Sequence, residues 1–147
     1  LKNELNNNKM IKTRMKVAII GSRLYSNTRR VKEIITSLKQ KFGDELVVIS
    51  GGCKDGADKY VRKYAIEFGV KYQEYNPAHT PRNLYSAMHD EYYGKPYHVS
   101  QFHHRNMLLA KACDKMIALI PNGVAADGTV GAITSAKKMG KPVVVLN

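Results

Sequence analysis

Cysteine is scarce in this chain. Cys53 and Cys113 are the only two in 147 residues. They are too few for a disulfide framework and lack the paired Cys-x-x-Cys spacing of a zinc site. A reducing, cytoplasmic setting is the expectation. No apolar run is long enough to cross a bilayer. The start, Leu1 to Arg14, lacks the apolar core of a secretory signal. Neither an internal repeat nor a second domain is visible. Acidic residues are also few, 12 against 24 Lys and Arg, giving a formal net charge of +12 and a pI of about 9.7. The Asn- and Lys-rich stretch Leu1 to Arg14 holds four basic residues and one acidic one. The remainder keeps 20 basic and 11 acidic residues, so the body is basic by itself. That balance fits phosphorylated ligands or polyanions, and equally a merely solvated surface.

What is present alternates in period. Lys16 to Ile20, Leu46 to Ile49, Val70 to Tyr75, Lys115 to Ile120 and Pro142 to Leu146 read as strands. Between them, helical spacing places Val31, Ile34, Ile35 and Leu38 on one face, and Tyr60, Val61, Tyr64, Ala65 and Phe68 on another. Asn27 or Thr28 is the candidate cap of the first helix. Asp55 and Asp58 resemble a capping box for the second. Further helices are expected from Gln101 to about Ala112 and from near Thr129 to Gly140. Residues 80–100 contain Pro81, Gly94 and Pro96 and are dense in tyrosine. They read as a lid or excursion with a short helix near Asn83 to Tyr92. The fold class is α/β: a three-layer α/β/α, Rossmann-like domain over residues 15–147, with a mostly parallel sheet of about five strands.

Parallel sheets of this kind bind ligands at the carboxyl ends of their strands. Three glycine-bearing segments fall there: Gly21-Ser22-Arg23, Ser50 to Asp58 with Gly51, Gly52 and Gly56, and Pro121 to Thr129 with Gly128. Glycines that lead from a strand into a helix leave backbone N–H groups and the positive helix end facing an anion. Gly51 and Gly52 either admit a ligand against the backbone or only make a tight turn. Arg23 either pairs with a phosphate or packs on the surface. Asp58 can stabilise the helix start and also accept from ribose hydroxyls. Thr129 either donates to a phosphate or caps its helix. Ser22 is a donor with no base near it in sequence. Arg105 and Asn106 open a helix, where they face a sugar or phosphate or form a surface pair. His103 and His104 are adjacent, point about 100° apart on a helix and cannot chelate one metal together; no metal and no cofactor is expected. Cys53 sits beside a helix start, where its thiol is either activated or simply a small filler. The tyrosines from Tyr85 to Tyr97 stack on a base or pack a lid or subunit contact.

Taken in order, Gly21-Ser22-Arg23, Gly51-Gly52-x-x-x-Gly56-Ala57-Asp58, Arg105-Asn106, Asp114, Gly128-Thr129 and Gly140-Lys141-Pro142-Val143 resemble the SLOG superfamily of Rossmann-like nucleotide-binding proteins. The resemblance runs from about Lys16 to Asn147. It implies a protein that senses, sequesters or processes a nucleotide or nucleotide-derived molecule, such as an ADP-ribose-like or cyclic nucleotide signal, in signalling or defence. Superfamily members of the "lonely guy" type are phosphoribohydrolases that cleave the N-glycosidic bond of a nucleoside monophosphate. Their catalytic arginine resembles Arg105, and their phosphate loop resembles Gly128-Thr129. Their catalytic glutamate, two residues after the threonine, corresponds to Gly131 here, and no Glu follows Glu91. Asp58, Asp114 or Asp127 would have to stand in as the acid or base. Other relatives bind single-stranded DNA, which the basic pI also suits. The resemblance thus leaves a binding protein, a hydrolase and a nucleic-acid binder as alternatives. By analogy it also implies a homo-oligomer, and it implies no membrane partner.

Overall fold

The structure, a computed structural model, describes residues 14–147; Leu1 to Thr13, most of the basic tail, lie outside the described residues. Five strands form one sheet: β1 (Met15–Gly21), β2 (Leu46–Ser50), β3 (Lys71–Glu74), β4 (Lys115–Leu119) and β5 (Val143–Leu146). All paired neighbours are parallel, in the order β3-β2-β1-β4-β5. The helices are α1 (Thr28–Phe42), α2 (Gly56–Glu67), α3 (Ser100–Ala112) and α4 (Asp127–Lys138). This is the α/β, Rossmann-like architecture that the alternating periods predict.

The strands read as continuous apolar runs because both sheet faces are covered. Side chains alternate across the sheet. Val17, Ile19 and Val48 therefore pack with Val31 and Ile35 of α1 and Val61 and Ala65 of α2. Ala18, Ile20, Val47 and Ile49 face the other way, onto Leu109 and Ala110 of α3 and Ala132 and Ala136 of α4. The first two crossovers step from β1 outward to β3 on one face. The third returns past β1 to β4 on the other. The carboxyl ends of β1 and β4 consequently send their loops to opposite faces, which opens a crevice between them.

Local signals fare unevenly. Asn27 caps α1, its side chain accepting from Arg30 N at 3.1 Å. The expected capping box of α2 does not form. Asp55 takes the cap position but makes no side-chain cap bond, and Asp58 accepts instead from Cys53 N at 3.2 Å. Helix α4 begins at Asp127, two residues before the expected start, with no side-chain cap on Ala126. Residues 83–92 hold no α-helix, only a 3-10 turn at Asp90–Tyr92. There the backbone is committed elsewhere. Glu74 N donates to Tyr85 O, Ala87 N donates to Glu74 O, and Ser86 bridges to Glu74 as an extra parallel pairing.

Two left-handed glycines separate conformational need from crowding. Gly56 has φ +66°, and a Cβ there would fall on the Ser22 and Arg23 backbone, which has no side chain to swing aside. Gly69 has φ +71° with open space around it. Gly69→Ala should cost about 1 kcal/mol, the left-handed penalty alone. Gly56→Ala should cost roughly 3 kcal/mol or more, because overpacking against backbone is added. Urea unfolding of the two variants checks the difference.

Candidate functional site

The carboxyl edge of the sheet is stitched together by main-chain bonds. Ser22 N donates to Leu119 O at 3.0 Å, and Ala57 N donates to Ser22 O at 3.0 Å. The end of β1 is thereby fixed to the end of β4 and to the start of α2. Gly21 allows this closeness, since a Cβ would meet Leu119 and Ala57. The Ser22 hydroxyl accepts from Leu24 N at 3.0 Å, so it serves its own turn. Arg23 is exposed and joins none of the ion pairs found among the described residues.

At the end of β2 the structure gives the glycines a use that is neither of the two the sequence suggests, a ligand against the backbone or a tight turn alone. Arg105, from α3, reaches across the edge. Its Nη1 donates to Gly51 O and, at 3.2 Å, to Tyr75 O; its Nε donates to Asn106 Oδ1 at 2.9 Å. A Cβ on Gly51 would stand 2.7 Å from Arg105 Nη1 and 2.9 Å from Asp58 Oδ2. Gly51 is therefore glycine because a guanidinium and a carboxylate occupy the space over it. Gly52, at φ +73°, lies against the Asn76 and Glu74 side chains in the same way. Protein side chains, not open solvent, cover both.

Asp58 is buried, and burial raises its carboxyl above the usual carboxylate range. The Arg105 charge and the Cys53 N–H pull it back down, and Glu74 pushes it up. Burial likewise lowers Arg105 from its ordinary value, and Asp58 opposes that shift. Ser50 Oγ and Asp58 Oδ1 nevertheless have no hydrogen-bond partner.

Asn106 is buried and connects this cluster to α4: a Cβ on Gly131 would lie 3.4 Å from its Nδ2. Thr129 is buried with its N–H donating to Ala126 O at 2.8 Å, whereas Gly128 is exposed with open space beside it. Gly51, Asp58, Arg105, Asn106 and Gly131 of α4 thus form one contiguous group. His103 and His104 are exposed on α3, and no cluster of three metal-ligating side chains exists among the described residues. Asp114 sits at the opposite edge, its Oδ2 accepting from Lys16 N at 2.8 Å at the start of the sheet. It is remote from any site on the carboxyl edge and cannot replace the missing glutamate there.

Two features escaped the sequence reading. The first is a crevice of about 350 Å³ between the β1 and β4 loops, lined by Tyr25, Ser26, Asn27, Pro121, Asn122 and Asn147. Tyr25 reads as loop in the sequence but is 3% exposed. The second is Glu74, a fully buried carboxylate. It accepts from Tyr72 OH at 3.0 Å, Asn76 Nδ2 at 2.9 Å and Asn83 Nδ2 at 2.8 Å, and Arg62 Nη1 lies 3.4 Å away. In a strand as polar as Lys71–Glu74 an acid carries no mark of its burial, so the sequence offered no signal for it.

Because the folded pKa of Asp58 is raised, its protonated form is the one that folding favours. Its contribution to stability is full below the usual carboxylate range and is lost as pH rises through the raised pKa. Asp58→Asn removes that titration. Relative to the parent chain, the variant should gain stability as pH rises above the usual carboxylate range. Denaturant unfolding as a function of pH measures it, and a constant difference would contradict the burial effect.

The fold recurs in solved proteins. The molybdenum cofactor binding protein from the phototrophic bacterium Rippkaea orientalis is similar at 18% identity and a TM-score of 0.66, over 91% of this chain and 77% of that one. The Moco carrier protein from Chlamydomonas reinhardtii is similar at 18% identity and a TM-score of 0.61, over 90% and 76%. At this identity the likeness is one of fold. Among curated proteins none matches. The model of the YspA, cpYpsA-related SLOG family, YAcAr, matches residues 15–80. Those residues carry β1, the Gly51–Asp58 turn and Glu74, and their match supports membership of the SLOG superfamily.

Proposed function

We propose that this chain binds a phosphorylated small molecule, a nucleotide or a nucleotide-like cofactor, at the carboxyl edge of its sheet. The observation that carries this reading is the crevice between the β1 and β4 loops, at the point where the strand order reverses. Its volume of about 350 Å³ is within the range of small-ligand sites. Its neighbours suit an anion. Arg23 is exposed two residues before Tyr25, Gly128 leaves the start of α4 open, and the net charge of +12 attracts polyanions from a distance. Asn27, Asn122 and Tyr25 offer carboxamides and a phenol to the rest of the ligand.

Binding is favoured over cleavage. Gly131 brings no carboxyl to the position where the hydrolases of the superfamily carry one, and Asn106 Nδ2 lies in contact with that position. Solved proteins of this fold that bind or carry the molybdenum cofactor support a role in holding a ligand for transfer or sequestration. In that case the cofactor is cargo, and the same phosphate-directed groups would hold it.

Incubating the chain with AMP, ADP-ribose, a cyclic nucleotide or the molybdenum cofactor tests the reading by thermal shift and chromatography. A true ligand at 100 times its Kd should add about 2.7 kcal/mol of stability and be recovered intact. Released free base would instead establish hydrolysis. Arg23→Ala should leave folding unchanged and weaken binding roughly tenfold, the loss of one charge-assisted hydrogen bond. No shift with any of these compounds would overturn the proposal.

A further inference from the structure

Among the described residues, four buried side-chain atoms lack a hydrogen-bond partner: Ser50 Oγ, Asp58 Oδ1, His79 Nδ1 and Tyr92 OH. Such atoms are rare in folded proteins and call for an explanation. Three of the four lie about Arg105, and the fourth, on His79, lies beyond it across Phe102. Asp58 and Tyr92 each interact electrostatically with Arg105, and Ser50 adjoins Asp58. The His79 ring packs 5.0 Å from that of Phe102, whose face lies 5.9 Å from the Arg105 guanidinium.

Beside this group lies a second cleft, about 480 Å³ in volume, between the segment 76–99 and α3. Ala78 and Met88 line it with apolar surface, and the rings of Tyr92 and His104, 5.8 Å apart and tilted by 40°, line it with aromatic surface. Gln101, Lys95 and Glu91 supply a donor–acceptor pair, a cation and an anion. The segment is held in shape by Lys95 N donating to Ala78 O at 3.1 Å, by Arg82 Nε donating to Met88 O at 3.0 Å and by the Asn76–Tyr93 contact at 3.3 Å. A preformed cleft with aromatic surface and mixed edge chemistry suits a flat, uncharged heterocycle. Glu91 disfavours a second phosphate there.

We infer that this cleft takes a nucleobase-sized heteroaromatic ring, seated on Tyr92 and His104 and read at its edge by Gln101, Lys95 and Glu91. The inference deepens the phosphorylated-ligand reading and rests on it: the ring of that ligand, rather than its phosphate, is what the second cleft recognises.

The probes are AMP, adenosine and ribose 5-phosphate, each titrated against the intact chain. The readout combines affinity with the ring-proton NMR signals of the five histidines. AMP and adenosine should move the His104 and His89 signals and leave those of His98 and His103 in place; ribose 5-phosphate should move neither set. AMP should bind roughly tenfold tighter than ribose 5-phosphate, and His104→Ala, at an exposed helix position, should erase most of that gap. Tyr92→Phe, which removes only the partnerless hydroxyl, should weaken AMP more than ribose 5-phosphate. Equal affinity for AMP and ribose 5-phosphate, with a still His104 signal, overturns the ring cleft and leaves the phosphate reading standing. Binding of none of the three overturns both.

Discussion

A guanidinium held over a glycine organises the carboxyl edge of this protein. Arg105 crosses from α3 to the end of β2, gives hydrogen bonds to Gly51 O and Tyr75 O, and meets the field of buried Asp58. An arginine drawn this far from water keeps its charge only where oxygen atoms replace the lost hydration. Two carbonyls, a carboxamide and a nearby carboxylate do so here. The surrounding choices follow. Residue 51 has no side chain because the arginine fills that space. Residue 58 is an acid that turns back toward the strand end instead of capping its helix. Residue 106 is an amide that steadies the guanidinium and reaches α4.

The same arrangement explains why charge and glycine occur together on this rim. A ligand phosphate would not lie directly on Gly51 or Gly52, because Arg105, Asp58, Asn76 and Glu74 already cover them. The glycines act one step removed, letting polar side chains stand close to the strand ends. The openings that remain are the crevice between the β1 and β4 loops and the cleft beside α3.

Much of this was readable in the chain. The strands announce themselves because burial on both faces makes runs such as Val17–Ile20 and Leu46–Ile49 continuous, and helical spacing marks the packed faces of α1 and α2. Arg105, Asp58 and the glycines stood out by residue type and position. What they touch was hidden, because Arg105 and Gly51 are 54 residues apart and only the third crossover joins them. The segment after β3 was misread for a similar reason. A short helix was expected there, but its backbone pairs with β3, and its shape comes from Glu74, Asn83 and Ser86, polar contacts that leave no period. Tyr25 looked like a loop residue and is core, since nothing in a short polar stretch shows which side chain turns inward.

The Glu74 cluster has a consequence for how this protein can vary among its relatives. Surface loops ordinarily absorb insertions with little penalty. Here Asn76, Asn83 and Ser86 are pegged to one another and to Glu74, so the spacing from 74 to 86 is set as firmly as that of a helix turn. Length changes should accumulate instead beyond this run, around Gly94, which has open space about it. A relative that has lost the acid should have lost its amide partners too, and with them the outline of the cleft beside α3.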